Sequence, residues 1–181
     1  NTFVGTGFVL ANAGSQSADG YEFDLVISPT ENIDLAVSGL FIDPIYDSYV
    51  GAAPGDLSGT VPSNTPEDTI SSTITWNYNI SGWDSFLRIS HLYSSKAQLL
   101  ENPVHQALIE AQGNGYREQD TLNLTAGFEK DNLSITLWGK NINDDEFLTS
   151  AFIGVADLSE TTFFGYPNSF KSYGLTLNYS F

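Results

Sequence analysis

Between residues 172 and 181 the chain reads SYGLTLNYSF, and every second position is large and apolar: Tyr173, Leu175, Leu177, Tyr179 and Phe181. The residues between them, Ser172, Gly174, Thr176, Asn178 and Ser180, are small or polar. A period of two predicts a strand with one apolar and one polar face. The alternation recurs at Tyr21, Phe23, Leu25 and Ile27; at Ile33, Leu35, Val37, Gly39 and Phe41; and at Ile70, Ile74, Trp76, Tyr78 and Ile80. It returns at Leu87 and Ile89, at Leu122, Leu124, Ala126 and Phe128, and at Leu133, Ile135 and Leu137. Only Val104 to Ala111, inside a long connection, carries a trace of helical period.

The connections alternate in length. Pro29-Thr30-Glu31-Asn32, Ser81-Gly82-Trp83-Asp84 and Asp131-Asn132 are short, whereas Val50 to Asn64, Ala97 to Arg117 and Glu146 to Phe170 are long. A soluble sandwich has no reason to keep its long loops at one end; an outer-membrane barrel does, with short periplasmic turns and long extracellular loops. The aromatics sort the same way. Tyr78, Trp83, Phe128, Tyr179 and Phe181 fall near the short turns, and Tyr46, Tyr49, Tyr93, Phe147, Phe152, Phe163, Phe164 and Tyr166 toward the long loops. Two belts at opposite strand ends are what two membrane–water interfaces select. A strand in lipid must pair its whole backbone, so the predicted sheet closes on itself or on the rest of a larger barrel. Asn123 and Thr176 then face a wet lumen.

Composition narrows the choices. The 181 residues suffice for one domain, taken as 1–181, and 41% hydrophobic content excludes a disordered chain. Mean hydropathy is −0.12 and no long apolar run occurs, which excludes a spanning helix but not spanning strands. The formal net charge of −16, from 6 Lys and Arg against 22 Asp and Glu, leaves no basic footprint for nucleic acid. It reads as an acidic, solvated loop surface, with calcium-bridged contact to anionic lipid as the lesser reading. The absence of cysteine removes disulfides, thiol catalysis and thiolate metal sites. The chain starts at Asn1 and contains no Met, so it is expected to be a piece of a longer protein. Four Asn-x-Ser/Thr triplets, at Asn79, Asn123, Asn132 and Asn178, follow from strand alternation rather than from glycosylation.

Little else carries chemistry. His91 and His105 have no partner at metal-ligand spacing; His91 reads as a boundary residue on the outward register, and His105 lies in a long loop. Asn143 to Glu146 (NDDE) lacks the calcium-loop pattern and reads as a solvated strand-to-loop junction. Glu22, Asp24, Arg88, Glu129 and Lys140 read as a hydrated, mutually paired lumenal wall. No catalytic, metal or cofactor site is expected, and the protein is not expected to be an enzyme.

Several stretches resemble one family. NAGSQSADGYEFDL, with Asn12, Gly14, Ala18, Gly20 and Glu22, resembles an Asn-x-Gly…Gly-x-Glu stretch in the barrels of TonB-dependent outer-membrane receptors. PSNTPEDTISSTITW resembles the proline-led start of a later strand there. LSITLWGKNINDDEF resembles the penultimate strand, with Asn141, Asp144 and Phe147 in an Asn-Leu-x-Asp-x-x-Tyr pattern, and SYGLTLNYSF is similar to the last strand. The resemblance implies an all-β, antiparallel, up-and-down transmembrane barrel segment of about seven or eight strands from a larger barrel, 22-stranded in the family, with no plug domain in this chain. It implies the cell outer membrane, and a receptor for a scarce ligand such as a ferric siderophore, cobalamin or an oligosaccharide. The partners it implies are outer-membrane lipid, the barrel-assembly machinery, and the rest of the barrel with its plug. It also implies that Gly174, Leu177, Tyr179 and Phe181 form the barrel-assembly signal. Two alternatives stay open: a stand-alone eight-stranded barrel with a structural or adhesive role, and a soluble carbohydrate-binding β-sandwich. Strand count separates the first. One strand from Phe3 to Ile27 with a bulge near Gly14 gives seven, whereas a loop at Asn12 to Gly20 gives eight.

Overall fold

A computed structural model describes residues 14–50, 55–154 and 162–181, together with the backbone of two short strands, β1 (Thr2–Val4) and β2 (Gly7–Val9). These two pair only with each other, Phe3 opposite Phe8. The single descending strand predicted from Phe3 is therefore not formed, and residues 10–13 lie outside the described set. The first strand of the main sheet, β3 (Ser15–Thr30), starts at Ser15, so Ser15 to Gly20 is not a loop either. Gly20 is needed there because a Cβ would fall 2.0 Å from the Phe41 carbonyl oxygen.

From β3 the chain runs as an antiparallel meander through β4 (Ile33–Ser48), β5 (Asp68–Ile80), β6 (Trp83–Gln98), β7 (Tyr116–Lys130) and β8 (Leu133–Lys140). A separate hairpin, β9 (Leu148–Ile153) and β10 (Phe163–Pro167), precedes the last strand, β11 (Ser172–Tyr179). The sheet has seven strands in the order β11-β8-β7-β6-β5-β4-β3. The turns after β3, β5 and β7 are tight. At Ser81-Gly82 both central residues have positive φ, 54° and 79°, as a type I′ hairpin turn requires. All long connections lie at the opposite end, as the loop lengths predict. The one helix among the described residues, α1 (Pro103–Ala111), sits between β6 and β7 where the helical period was read. Asn102 caps it through its side-chain oxygen, and Pro103 occupies its first turn.

Register decides which side chains share a face. Across β11, β8, β7, β6, β5 and β4 one row runs Leu175, Leu137, Ala126, Leu87, Trp76 and Ile33, and the next, which extends to β3, runs Tyr173, Gly139, Leu124, Ile89, Ile74, Leu35 and Ile27. Each strand contributes its apolar set to the same side, because the period is two and no pairing slips by one within these rows. No second layer of protein covers that side among the described residues: Leu175 is 61% exposed, Leu177 59% and Leu124 37%. The buried apolar residues, Leu57, Ala97, Leu99 and Ile109, instead gather at the long-loop end.

Glycines are matched to rings. Gly174 faces Trp138, Gly139 faces Tyr173, Gly127 faces Phe86 and Gly39 faces Phe23, each directly across a strand pair. In every case a Cβ on the glycine would come within 3.0 Å of the opposite ring. An aromatic laid over a cross-strand glycine covers backbone that the missing side chain leaves bare. Gly174→Val should displace the Trp138 ring and loosen β11, lowering stability in detergent by about 1–3 kcal/mol in denaturant unfolding. Pairing that change with Trp138→Leu should recover part of the loss.

Candidate ligand-facing surface

The other side of the sheet is lined by hydroxyls, amides and the few charges. Arg88 Nε donates to Thr75 Oγ1 at 3.1 Å, Thr73 Oγ1 to Ser90 Oγ at 3.3 Å, and Asn77 Nδ2 to Asp34 Oδ2 at 3.2 Å. Asn79 Nδ2 donates to Asp84 Oδ1 at 3.0 Å, and Trp138 Nε1 to Thr176 Oγ1 at 3.3 Å. This is a polar, hydrogen-bonded face, but the expected mutual ion pairing of Glu22, Asp24, Arg88, Glu129 and Lys140 is absent among the described residues. Register explains why. Arg88 stands between Thr75 and Thr125, Asp24 opposite Ser38 and Glu22 opposite Leu40, while Glu129 stands between Asp84 and Ser134. No cation lies directly opposite any of these acids.

At the top of β8 the NDDE stretch is largely exposed at Asn143, Asp144 and Glu146, as its charge suggests, but Asn141 and Asp145 anchor it in a hydrogen-bonded knot. Asn141, 3% exposed and with φ of 49°, donates from Nδ2 to the carbonyls of Asp145 (2.8 Å) and Ser169 (3.0 Å). Its Oδ1 accepts from the Asp145 N–H at 2.8 Å, and its own N–H donates to Asn123 Oδ1 at 3.0 Å. Asp145 Oδ2 accepts from the Asp120 N–H at 2.7 Å and from the Thr121 hydroxyl at 3.2 Å. Asn143 accepts from the Leu122 N–H at 2.9 Å and donates to the Asp120 carbonyl. Asn168 closes the knot, donating to the Asp145 carbonyl and accepting from the Phe147 N–H. These amides and the carboxylate replace ladder bonds that β7 loses where β8 ends, which satisfies backbone groups that would otherwise stay open.

Knot, β7 and the last connection together enclose a hollow of about 330 Å³ on the polar face. Arg117, Gln119, Asn123 and Lys140 line it, with Asn141 and Asn168 from the knot. Farther out, the connection 49–67 is tied to the one carrying α1. Ser63 donates through its N–H and hydroxyl to Glu101 Oε2, and Asn64 Nδ2 donates to the Leu99 carbonyl at 3.1 Å. Gln106 is buried, bonded to the Gly115 carbonyl, the Leu100 N–H and Glu110. Burial, with the Glu101 carboxylate close by, pushes the Tyr46 phenol up to about 12. Its hydrogen bond to Glu110 raises Tyr116, and the same bond lowers Glu110. The described parts of the connections after β4 and β6 thus form a cap with its own small core at Leu57, Ala97, Leu99 and Ile109.

The proposed assembly residues lie on the open edge strand. Leu177 and Tyr179 point to the apolar side, Gly174 lies under Trp138 on the polar side, and Phe181 is fully exposed in edge-to-face contact with Tyr179, ring centroids 5.2 Å apart. His91 is on the apolar side as predicted, and its Nε2 lies 2.5 Å from Asp120 Oδ1. His105 falls in the first turn of α1, where its N–H donates to the capping Asn102. No group of three or more His, Cys, Asp or Glu among the described residues could hold a metal ion. Sequence reading missed the knot and the hollow. Their only signal was the density of Asn and Asp from Asn141 to Asp145.

An uncovered apolar side, a polar side and ordered loops at one end define a segment of an up-and-down β-barrel wall. The structure is similar to that of the ferric yersiniabactin uptake receptor FyuA from Yersinia pestis, with a TM-score of 0.74 and 14% sequence identity. The match covers 96% of this chain and 25% of that one, so the chain spans about a quarter of the receptor's length. No protein-family model matches the sequence, and no curated protein does.

Asn141→Ala should remove three side-chain hydrogen bonds, leaving the Asp145 N–H and the Ser169 carbonyl without that partner, and cost about 1–3 kcal/mol in denaturant unfolding. Faster amide exchange at residues 145 and 147 is expected alongside it.

Proposed function

We propose that the chain is the C-terminal barrel portion of a TonB-dependent outer-membrane receptor that takes up a scarce ligand, a ferric siderophore before cobalamin or an oligosaccharide. The observation that carries this reading is the side-by-side registry of every alternating apolar set on one face that protein leaves bare. Bilayer hydrocarbon is the solvent that such a face fits, and a paired ladder is the backbone state that hydrocarbon demands. The fold likeness to a ferric yersiniabactin uptake receptor favours the ferric chelate. Strand length agrees: β3 to β7 have 13 to 16 residues, enough to cross with the ~9–11 needed and to project beyond.

The alternatives fit less well. A sandwich needs a second sheet over Leu124, Leu175 and Leu177, and the described residues supply none. A stand-alone barrel meets a parity problem. Seven consecutive antiparallel neighbours leave β3 and β11 running in the same direction, so they cannot close on each other antiparallel. Closure instead takes an odd number of further strands from the rest of the barrel. In this reading the polar side lines the lumen and meets the plug. The exposed edge strand β11, with Gly174, Leu177, Tyr179 and Phe181, is what the assembly machinery recognises.

Cells lacking the protein should lose energy-dependent accumulation of radioactive iron supplied as a ferric siderophore; unchanged accumulation across a siderophore panel contradicts the ferric assignment. Leu124→Arg should destabilise the membrane-inserted protein by about 2–4 kcal/mol, and Thr125→Arg on the opposite face by under about 1 kcal/mol. Equal effects in unfolding from lipid vesicles count against the bilayer assignment.

A further inference from the structure

The hollow beside the Asn141 knot is unusual for its charge. Acidic residues outnumber basic ones 22 to 6 in the chain, yet two of the six cations, Arg117 and Lys140, line this one space. No Asp or Glu lines it with them. Neither side chain makes an ion pair or hydrogen bond among the described residues; Lys140 Nζ lies 5.5 Å from the Trp138 ring centre. Arg117 Nε is buried and unpartnered. A buried guanidinium nitrogen without an acceptor carries a desolvation penalty that an incoming anion relieves. Neutral donors stand beside the cations. Asn123, which lines the hollow, has its Oδ1 taken by the Asn141 N–H, and its amino group has no acceptor among the described residues. Asp145, in the knot beside the hollow, accepts from the Asp120 N–H and the Thr121 hydroxyl and makes no ion pair with either cation.

We propose that Arg117 and Lys140 form an oxyanion subsite on the lumenal face, filled by a carboxylate or phosphate group of the transported ligand. This rests on reading the polar side as the lumen of an uptake barrel. Arg supplies a planar fork that matches an oxyanion, and Lys a point charge lining the same space. The hollow's roughly 330 Å³ admits a small polyanionic head rather than a lone ion. Its position just above the end of β8, where the long connections begin, lies on the route between the cap and the lumen.

The test is calorimetric titration of the purified full-length protein in detergent at low ionic strength, with citrate in one arm and inorganic phosphate in the other. Binding in either arm is expected, and Arg117→Gln and Lys140→Gln should each weaken it about tenfold or more. Arg88→Gln, on the same face but bonded to Thr75, should leave it unchanged. Citrate binding alone assigns a polycarboxylate, and binding in both arms a general oxyanion site. No binding to the wild-type protein in either arm, as when another acidic side chain of the protein already fills the hollow, overturns the proposal. So does an R117Q/K140Q variant that folds and still binds like wild type. Because binding is measured on purified protein, it stands or falls separately from iron accumulation by cells.

Discussion

Cross-strand register is the constraint from which the rest follows. An alternating sequence has two possible faces on each strand, and a slip of one residue anywhere would exchange them. Here seven strands agree. Leu177 lies opposite Ile135, Ile135 opposite Phe128, Leu124 opposite Ile89, and Ile74 opposite Leu35, so one side of the sheet is mainly apolar, with Ser72, His91 and Asp120 toward its long-loop end, and the other holds most of the hydroxyls, amides and charges. Small devices pin that register: type I′ geometry at Ser81-Gly82, and rings laid over glycines at Gly174, Gly139, Gly127 and Gly39. With no second layer over it among the described residues, the sheet has no interior of its own there, and the buried apolar side chains of those residues, Leu57, Ala97, Leu99 and Ile109, lie at the long-loop end.

Much of this was legible in the sequence because it is local. Period-two alternation, tight-turn residues and the spacing of long connections gave the strands, their faces and the end where the loops collect. The trace of helical period from Val104 to Ala111 marked the place of α1. The misses are non-local. Thr2–Val4 and Gly7–Val9 fold back on each other instead of extending β3, a choice between two pairings that alternation alone does not make. The expected lumenal ion pairs depended on which residue stands opposite which, and register set Glu129 against Asp84 and Arg88 against threonines. The knot needed Asn141, Asp145, Asn168 and the backbone of β7 brought together from segments more than 20 residues apart.

The division of the sheet also organises its function as proposed. The apolar side offers nothing but surface, so specificity falls to the polar side and the cap. There the described parts of the long connections are cross-tied by Glu101, Gln106 and the Asn141 knot into a preformed shape. A preformed rim loses less conformational freedom when a ligand arrives. Below it, the concentration of two unpaired cations in an otherwise acidic chain gives that rim a chemical preference.

Lipid contact on one face only is the central claim, and tryptophan quenching tests it most directly. Trp76 lies on the apolar side between Ile33 and Leu87, and Trp138 on the polar side opposite Gly174. Single-tryptophan variants, with the other two tryptophans changed to phenylalanine, would be reconstituted into vesicles containing brominated phospholipid chains. Strong quenching of Trp76 with Trp138 spared is the expected result; equal quenching of both, or none of Trp76, contradicts it.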